Sequence, residues 1–168
     1  MRKAQAALEF LTTYGWAFLV ILVMIGALGY FGILSPSRFL PERCNVGPEF
    51  SCDEYRVLAS TGVLSIKFTN NVGETIASVV VTGAKWAQQD LISSLPGACT
   101  VLYNKDPAAT SAQAGAPIEI ACTFTNGGVS AFPPTGAKMK FNVDMTYIPQ
   151  GKTYTKPLTA EVYTALQP

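Results

Sequence analysis

QAALEFLTTYGWAFLVILVMIGALGYFGIL, residues 5–34, is the stretch that decides the fold of this chain. Within it, residues 10–34 form 25 consecutive positions without a charge, and Thr12 and Thr13 are the only clearly polar ones. As a helix rising about 1.5 Å per residue, this run measures roughly 38 Å, more than the hydrocarbon core of a bilayer at about 30 Å. The sequence therefore predicts one long hydrophobic helix over residues 5–34.

The charges that flank this helix predict its orientation. A short basic leader, residues 1–4, contains Arg2 and Lys3, whereas the segment after the helix carries the mixed set Arg38, Glu42 and Arg43. Basic residues are enriched on the cytoplasmic side of membrane helices. The bias is modest, and it favours an internal N-terminus with the rest of the chain outside.

Glu9 is an acid placed directly before the uncharged run. An ionisable group costs about 2.5–3.5 kcal/mol at mid-bilayer and less near the edge, so Glu9 would either lie among lipid headgroups or have a partner. Cleavage between Ala4 and Gln5 would create a new α-amine four residues before Glu9. In a helical array, that amine on one subunit would pair with Glu9 on its neighbour, where apolar surroundings screen the pair weakly.

KAQAALEFL, residues 3–11, resembles the class III signal peptide of archaeal type IV pilins and related adhesion filaments. In that family a membrane peptidase removes a short basic leader just before a Gln, and Glu stands at the fifth mature position. Glu9 matches that position if Gln5 is the first. The family often has Gly before the cut and Ser at the third mature position, where this chain has Ala4 and Ala7. The resemblance covers about a fifth of the chain, and it implies that processing leaves the helix on the mature protein.

Two other targeting interpretations stay open. In an ordinary secretory signal peptide the apolar core is about 7–15 residues long, shorter than the run in this chain, although Ser35-Pro36-Ser37 offers small residues for a cut. A permanent, uncleaved anchor is the other possibility.

Gly26, Gly29 and Gly32 recur at every third position of the helix. In apolar surroundings, glycine lets two helix backbones approach closely. The spacing therefore indicates tight packing between helices in a filament core, or a place where the helix bends. Alternatively, it reflects only the higher frequency of glycine in membrane helices.

The rest of the chain is predicted as a linker, residues 35–54, followed by a head, residues 55–168. Pro36, Pro41 and Pro48 indicate irregular structure in the linker. The head contains short β-rich runs with period-2 alternation, separated by turn residues. These runs are 55–60, 63–69, 76–82, 99–103, 117–124, 138–148 and 152–166.

Two intervening segments and one proline complete the description of the head. Residues 85–95 fit a short helix or a loop, and residues 106–117 fit a loop. Pro157 predicts that the last run is an edge strand or two pieces. Seven or so strands favour an α+β chain whose head is an antiparallel β-sandwich, immunoglobulin-like in type, and the resemblance to pilins implies the same.

Four cysteines, Cys44, Cys52, Cys99 and Cys122, predict two disulfides on the outer side of a membrane. Three pairings are possible. The short loop favours Cys44–Cys52, which leaves Cys99–Cys122. The first bond would tie the helix exit to the head, and the second would staple a strand to the sheet. A metal site is the alternative, but the chain has no His and no C-x-x-C spacing.

Composition argues against an enzyme and against nucleic-acid binding. The chain has no His, no Gly-rich phosphate loop and no nucleophile motif. Its formal net charge is +1, and loss of Arg2 and Lys3 leaves 10 basic against 11 acidic side chains. We therefore expect no catalytic residues, no metal and no cofactor.

The sequence leads to one functional expectation and one alternative. The expected function is that of a pilin, the structural subunit of an archaeal type IV pilus-like filament for adhesion. The precursor would wait in the membrane for its peptidase and assembly machinery, and the mature subunit would polymerise with itself through its helix outside the cell. The alternative is a permanently membrane-anchored extracellular β-domain that binds a ligand or surface partner.

Overall fold

The computed structural model of the chain describes residues 2–31, 40–86, 89–90, 99–126, 129–130, 132–133 and 135–168. For residues 2–8, 11, 89–90, 125–126 and 129–130 it describes the backbone alone. The chain divides into two compact units, Met1–Leu40 and Pro41–Pro168.

The first unit contains helix α1, Arg2–Tyr30, of 29 residues. Its last turn is extended by a hydrogen bond from the Phe31 amide to the Ala27 carbonyl, 2.9 Å long. The long hydrophobic helix predicted from the sequence is confirmed, and its helical backbone begins earlier, within the basic leader. The last predicted helical residues, 32–34, lie outside the described residues.

The second unit, the head, consists of antiparallel strands in its described residues. They are β1 (Arg43–Asn45), β2 (Phe50–Leu58), β3 (Val63–Asn70), β4 (Ile76–Trp86), β5 (Gln89–Asp90), β6 (Cys99–Tyr103), β7 (Ser111–Ala112), β8 (Pro117–Thr123), β9 (Thr125–Asn126), β10 (Val129–Ser130), β11 (Lys138–Pro149) and β12 (Lys156–Ala165). Sheet A has the order β1-β12-β11-β4-β5, with β7 also on β4, and sheet B has the order β2-β3-β8-β6. Strands β9 and β10 form a small separate hairpin.

The core lies between the apolar faces of the two sheets. Strand β11 buries Phe141, Val143, Met145 and Tyr147 at alternate positions, as its period-2 pattern predicts. From sheet B, the inward residues of β3 and β8 are Leu64, Ile66, Phe68, Ile118 and Ile120. Phe50 joins the two sets, because its ring packs edge-on against Phe68 at 5.5 Å and against Tyr147 at 5.4 Å. The α+β architecture with a sandwich-like head is confirmed.

The head begins at Pro41, so the linker prediction, residues 35–54, extends too far into it. Strand β1 pairs with β12, and β2 starts at Phe50. Val46 and Phe50 are buried in the core and hold this segment in place. Pro41 and Pro48 therefore separate short elements of the head instead of marking an unstructured connection.

Three other parts of the head differ in detail from the sequence expectation. Strand β4 continues to Trp86, and β5 pairs back on it, so the described part of residues 85–95 is a hairpin; residues 87–88 and 91–95 lie outside the described residues. The loop expected at 106–117 contains β7. Strand β12 is continuous through Pro157, and β1 covers only Glu161–Tyr163 of its other side, which leaves the proline at an edge position.

A buried tyrosine links the two sheets. The Val79 amide of β4 donates a 2.7 Å hydrogen bond to the hydroxyl oxygen of Tyr103 on β6. Val79 lies at an irregularity where β4 loses register with β11, next to Ser78, whose φ is 52°. Burial raises the pKa of Tyr103, and the bond from Val79 opposes that shift. The phenol thus satisfies an amide that the irregular strand leaves without a partner in the ladder.

Asn70 organises the loops at the end of β3. It is fully buried, and its side-chain nitrogen lies 2.9 Å from the Glu74 carbonyl, 3.2 Å from that of Ala112 and 3.1 Å from that of Gln113. Its side-chain oxygen accepts a 3.0 Å bond from the Val72 amide. One residue therefore joins the turn that follows β3 to a segment more than forty residues further along the chain from Asn70.

Close by, Glu49 joins the turn before β2 to sheet A. Its carboxylate accepts a hydrogen bond from the Tyr147 hydroxyl and lies 3.9 Å from the Lys156 ammonium. Burial, and then the bond to Glu49, raise the pKa of Tyr147. The phenol therefore stays protonated and serves as a donor.

The C-terminus closes the opposite end of the sandwich. The Gln167 amide donates to the Val57 carbonyl at 2.8 Å, and the Ala59 amide donates to the Gln167 carbonyl at 2.9 Å. Buried Leu166 is held by backbone bonds to Gly136 and Ala137. The last residues of the chain therefore cover part of the free edge of β2, an edge strand of sheet B.

Tyr103→Phe is expected to lower the free energy of unfolding by about 1–3 kcal/mol, because it leaves the buried Val79 amide without an acceptor. Urea unfolding of the full chain in detergent, followed by the strand signal in circular dichroism, measures the loss. Tyr55→Phe is the matched control, since the hydroxyl of half-buried Tyr55 forms no hydrogen bond within the described part of the chain. Equal losses in the two variants would contradict the role given to the Tyr103–Val79 bond.

Candidate functional site

From Phe10 to Tyr30, the described side chains of helix α1 present an exposed apolar surface. Thr12–Tyr30 is long and apolar enough to cross a membrane, with a mean hydropathy of 1.8, and none of it is buried. Large side chains are exposed on every side, including Phe10, Trp16, Leu22 and Tyr30. Such a surface is stable in lipid or against other helices, and not in water.

Glu9 lies at the N-terminal end of this surface, and two threonine hydroxyls are directed at its backbone. Thr12 Oγ1 donates to the Glu9 carbonyl at 3.1 Å, and Thr13 Oγ1 donates to the same oxygen at 2.8 Å. Both hydroxyls thus have a hydrogen-bond acceptor within the helix itself. From Glu9 to Phe31, the exposed Glu9 carboxylate is the one charged group on the helix surface.

Contacts within the described part of the subunit do not require Gly15 or Gly26 of α1 to be glycine. A Cβ placed on Gly15 or on Gly26 would meet nothing within 4 Å. Gly29 is also exposed, whereas Gly32 lies outside the described residues. If their small size has a use, it is therefore in contacts with other molecules, where two helix backbones approach each other.

The predicted processing junction, Ala4 and Gln5, lies in the first two turns of α1, and the structure describes only its backbone. The junction and Glu9 are on one continuous helix. At about 1.5 Å per residue, Gln5 and Glu9 are separated by roughly 6 Å along the axis, or about one turn. An amine created at Gln5 would therefore lie about one turn before the carboxylate.

The Cys44–Cys52 disulfide joins the two sheets of the head. Cys44 belongs to β1, an edge strand of sheet A, and Cys52 belongs to β2, an edge strand of sheet B. Their Cα atoms are 5.9 Å apart. The bond expected to tie the helix exit to the head therefore lies wholly within the head, where it closes one side of the sandwich.

The Cys99–Cys122 disulfide lies within sheet B. Cys99 on β6 and Cys122 on β8 stand directly opposite each other in the strand register, and their Cα atoms are 4.0 Å apart. Both of the pairings that loop length favours are thus present. Tyr103 and Asn70, which also hold the head together, were not singled out from the sequence, because their partners are distant in the chain.

The described residues give no constellation for metal chemistry. Nowhere in the described ranges do three His, Cys, Asp or Glu side chains come together in a group able to hold a metal ion. Comparisons of the chain with protein-family models, with curated proteins and with solved structures give no match.

Removing each disulfide as a double Cys→Ala variant is expected to lower the free energy of unfolding. The chain-entropy relation gives about 2.5 kcal/mol for Cys44–Cys52 and about 3.4 kcal/mol for Cys99–Cys122, because the second closes the longer loop. The sequence separations are 8 and 23 residues. Urea unfolding of both variants measures the losses, and a larger loss for the short loop would contradict this order.

Proposed function

We propose that this chain is the structural subunit, a pilin, of an archaeal type IV pilus-like extracellular filament that serves adhesion. The subunit polymerises through α1, and its head faces outward. The observation that carries the proposal is the uninterrupted exposed apolar surface of α1, with a single carboxylate near its N-terminal end. The resemblance of residues 3–11 to a class III signal peptide supports it as well.

The helix surface supports assembly in two ways. Thr12 and Thr13 bond to the Glu9 carbonyl, so burying them between apolar helices leaves no hydroxyl without an acceptor. Gly15 and Gly26 have open space around them, which a neighbouring helix can occupy closely. Both features lower the cost of transferring α1 from lipid to a bundle of like helices.

Glu9 is proposed to set the register of the bundle. A carboxylate among apolar helices is costly unless it is paired. After cleavage between Ala4 and Gln5, the new amine of one subunit supplies the opposite charge for Glu9 of its neighbour. The prepilin peptidase and the assembly machinery are the further partners, and the membrane holds the precursor.

The head supports an extracellular location. Its two disulfides are of the kind that persists in oxidising surroundings. We also propose that the sandwich is immunoglobulin-like, because the chain passes repeatedly between its sheets, as in Greek-key sandwiches. The crossings are at β1–β2, β3–β4, β5–β6, β6–β7 and β7–β8, and from β8 to β11 by way of the β9–β10 hairpin. We propose no catalytic role for it.

The native N-terminus tests this proposal directly. We expect material sheared from cells to contain a chain that starts at Gln5, found by intact mass and peptide mapping. An intact Met1 found only in membranes would replace the proposal with a permanently anchored β-domain that binds a ligand or surface partner. A start near residue 39 would show a secreted head that has lost its helix.

Glu9→Ala is expected to permit processing and to reduce the yield of sheared filaments strongly, because the neighbour's amine loses its partner. Glu9→Asp, which keeps the charge, is expected to retain part of the yield. Filament yield after shear is measured together with the N-terminus of the membrane fraction. Normal filaments from Glu9→Ala would remove the pairing, while leaving polymerisation through α1 intact.

A further inference from the structure

The outer face of sheet B carries a groove that the assembly helix does not involve. Its volume is about 440 Å³, within the range of about 300–1,000 Å³ that is usual for small-molecule sites. Strands β2, β3 and β8 and the turn after β6 supply its lining, which is Glu54, Tyr55, Arg56, Ser65, Lys67, Lys105 and Glu119.

The strand register orders these side chains in two rows across the sheet. In one row, Arg56 stands opposite Ser65, which faces the small Ala121. In the next row, Glu54 stands opposite Lys67, which faces Glu119. Ser65 is 9% exposed, so its small side chain lies low between the longer charged ones. Ser65 and Ala121 lie on β3 and β8, the two central strands of sheet B, and both side chains are small. The groove is therefore deep at Ser65.

The charges of the groove are not internally balanced. The lining contains three cations, Arg56, Lys67 and Lys105, and two carboxylates, Glu54 and Glu119. The Lys67 ammonium lies 3.7 Å from the Glu54 carboxylate, and Glu119 stands opposite Lys67 on β8. Arg56 and Lys105 form no ion pair with any described residue. An arginine beside a recessed hydroxyl is well suited to bind a carboxylate through two parallel N–H donors.

We propose that this groove binds a sugar that carries one carboxylate, of the uronic acid class. The carboxylate pairs with Arg56 above Ser65, and the hydroxyls of the sugar donate to Glu54 and Glu119. A phosphate monoester matches the groove less well, because its charge of about −1.5 to −2 meets two glutamates. A neutral sugar leaves the Arg56 guanidinium without an anionic partner. One negative charge together with several hydroxyl donors therefore fits this set of side chains.

This inference does not rest on polymerisation, since every residue of the groove lies in the head. The experiment uses the full chain solubilised in a detergent without a sugar headgroup. Binding of glucuronate is followed by saturation-transfer NMR and by titration calorimetry, with glucose as the neutral probe. We expect glucuronate to bind at least tenfold more tightly than glucose, and added salt to weaken only the glucuronate complex.

Arg56→Gln removes the proposed anchor and is expected to weaken glucuronate binding by about tenfold or more, with no change for glucose. Arg43→Gln is the matched control, because Arg43 is exposed on β1 of the other sheet and its loss changes the net charge equally. Ser65→Val fills the floor of the groove without changing its charge and is expected to weaken binding as well. Thermal unfolding identifies any variant that is misfolded.

Two results would overturn the proposal. One is equal affinity for glucuronate and glucose, and the other is an equal effect of Arg56→Gln and Arg43→Gln. Because the solubilised subunit is used, either result leaves the filament proposal standing. Conversely, failure to form filaments leaves a measured glucuronate affinity intact.

Discussion

The constraint on which the rest of the structure depends is that the surface of α1 cannot remain in water. Apolar side chains surround the helix on every side, so no single face can be turned toward a core while another meets solvent. Apolar surroundings, such as lipid or other apolar protein surface, therefore suit this helix better than water does. The head does not need apolar surroundings, because its two sheets bury their apolar faces against each other. One chain therefore contains two units that are stable in different surroundings.

A disulfide and backbone hydrogen bonds together restrain the edge strand β2 of the head. Strand β2, at the edge of sheet B, is held near one end by the disulfide to β1 and at the other by the backbone bonds to Gln167. A register shift between Cys52 and Glu54 lies between them. Free strand edges invite pairing with other chains, and a tied, irregular edge does so less. The disulfide, the register shift and the bonds to Gln167 therefore restrain unintended pairing at this edge as well as stabilising the head.

Much of the fold follows from local pattern, and the remainder depends on distant partners. The alternation in β3, β8 and β11 predicted those strands, because a strand buried on one face must alternate. Loop length favoured the disulfide pairing that is present.

The prolines near β1 and β2 led to the prediction of a linker where two strands begin, since proline separates short elements as readily as it marks a linker. The sequence does not single out Tyr103, because its partner is a buried backbone amide that an irregularity in another strand leaves without a ladder partner. The groove over Ser65 likewise depends on the register between β2, β3 and β8, which cannot be predicted from the local sequence pattern of any one strand.

The way in which the head closes has a consequence for the order in which its strands fold. The first residues of the head depend on the last, because β1 pairs with β12, Glu42 accepts a bond from Thr164, and Val57 accepts one from Gln167. As the chain is synthesised from its N-terminus, β1 and one edge of β2 therefore stay unpaired until β12 and Gln167 have been made. Folding of the head is therefore complete only when residues up to Gln167 are present. A head that lacked Leu166 and Gln167 would leave Val57 and Ala59 without these backbone partners at the edge of β2.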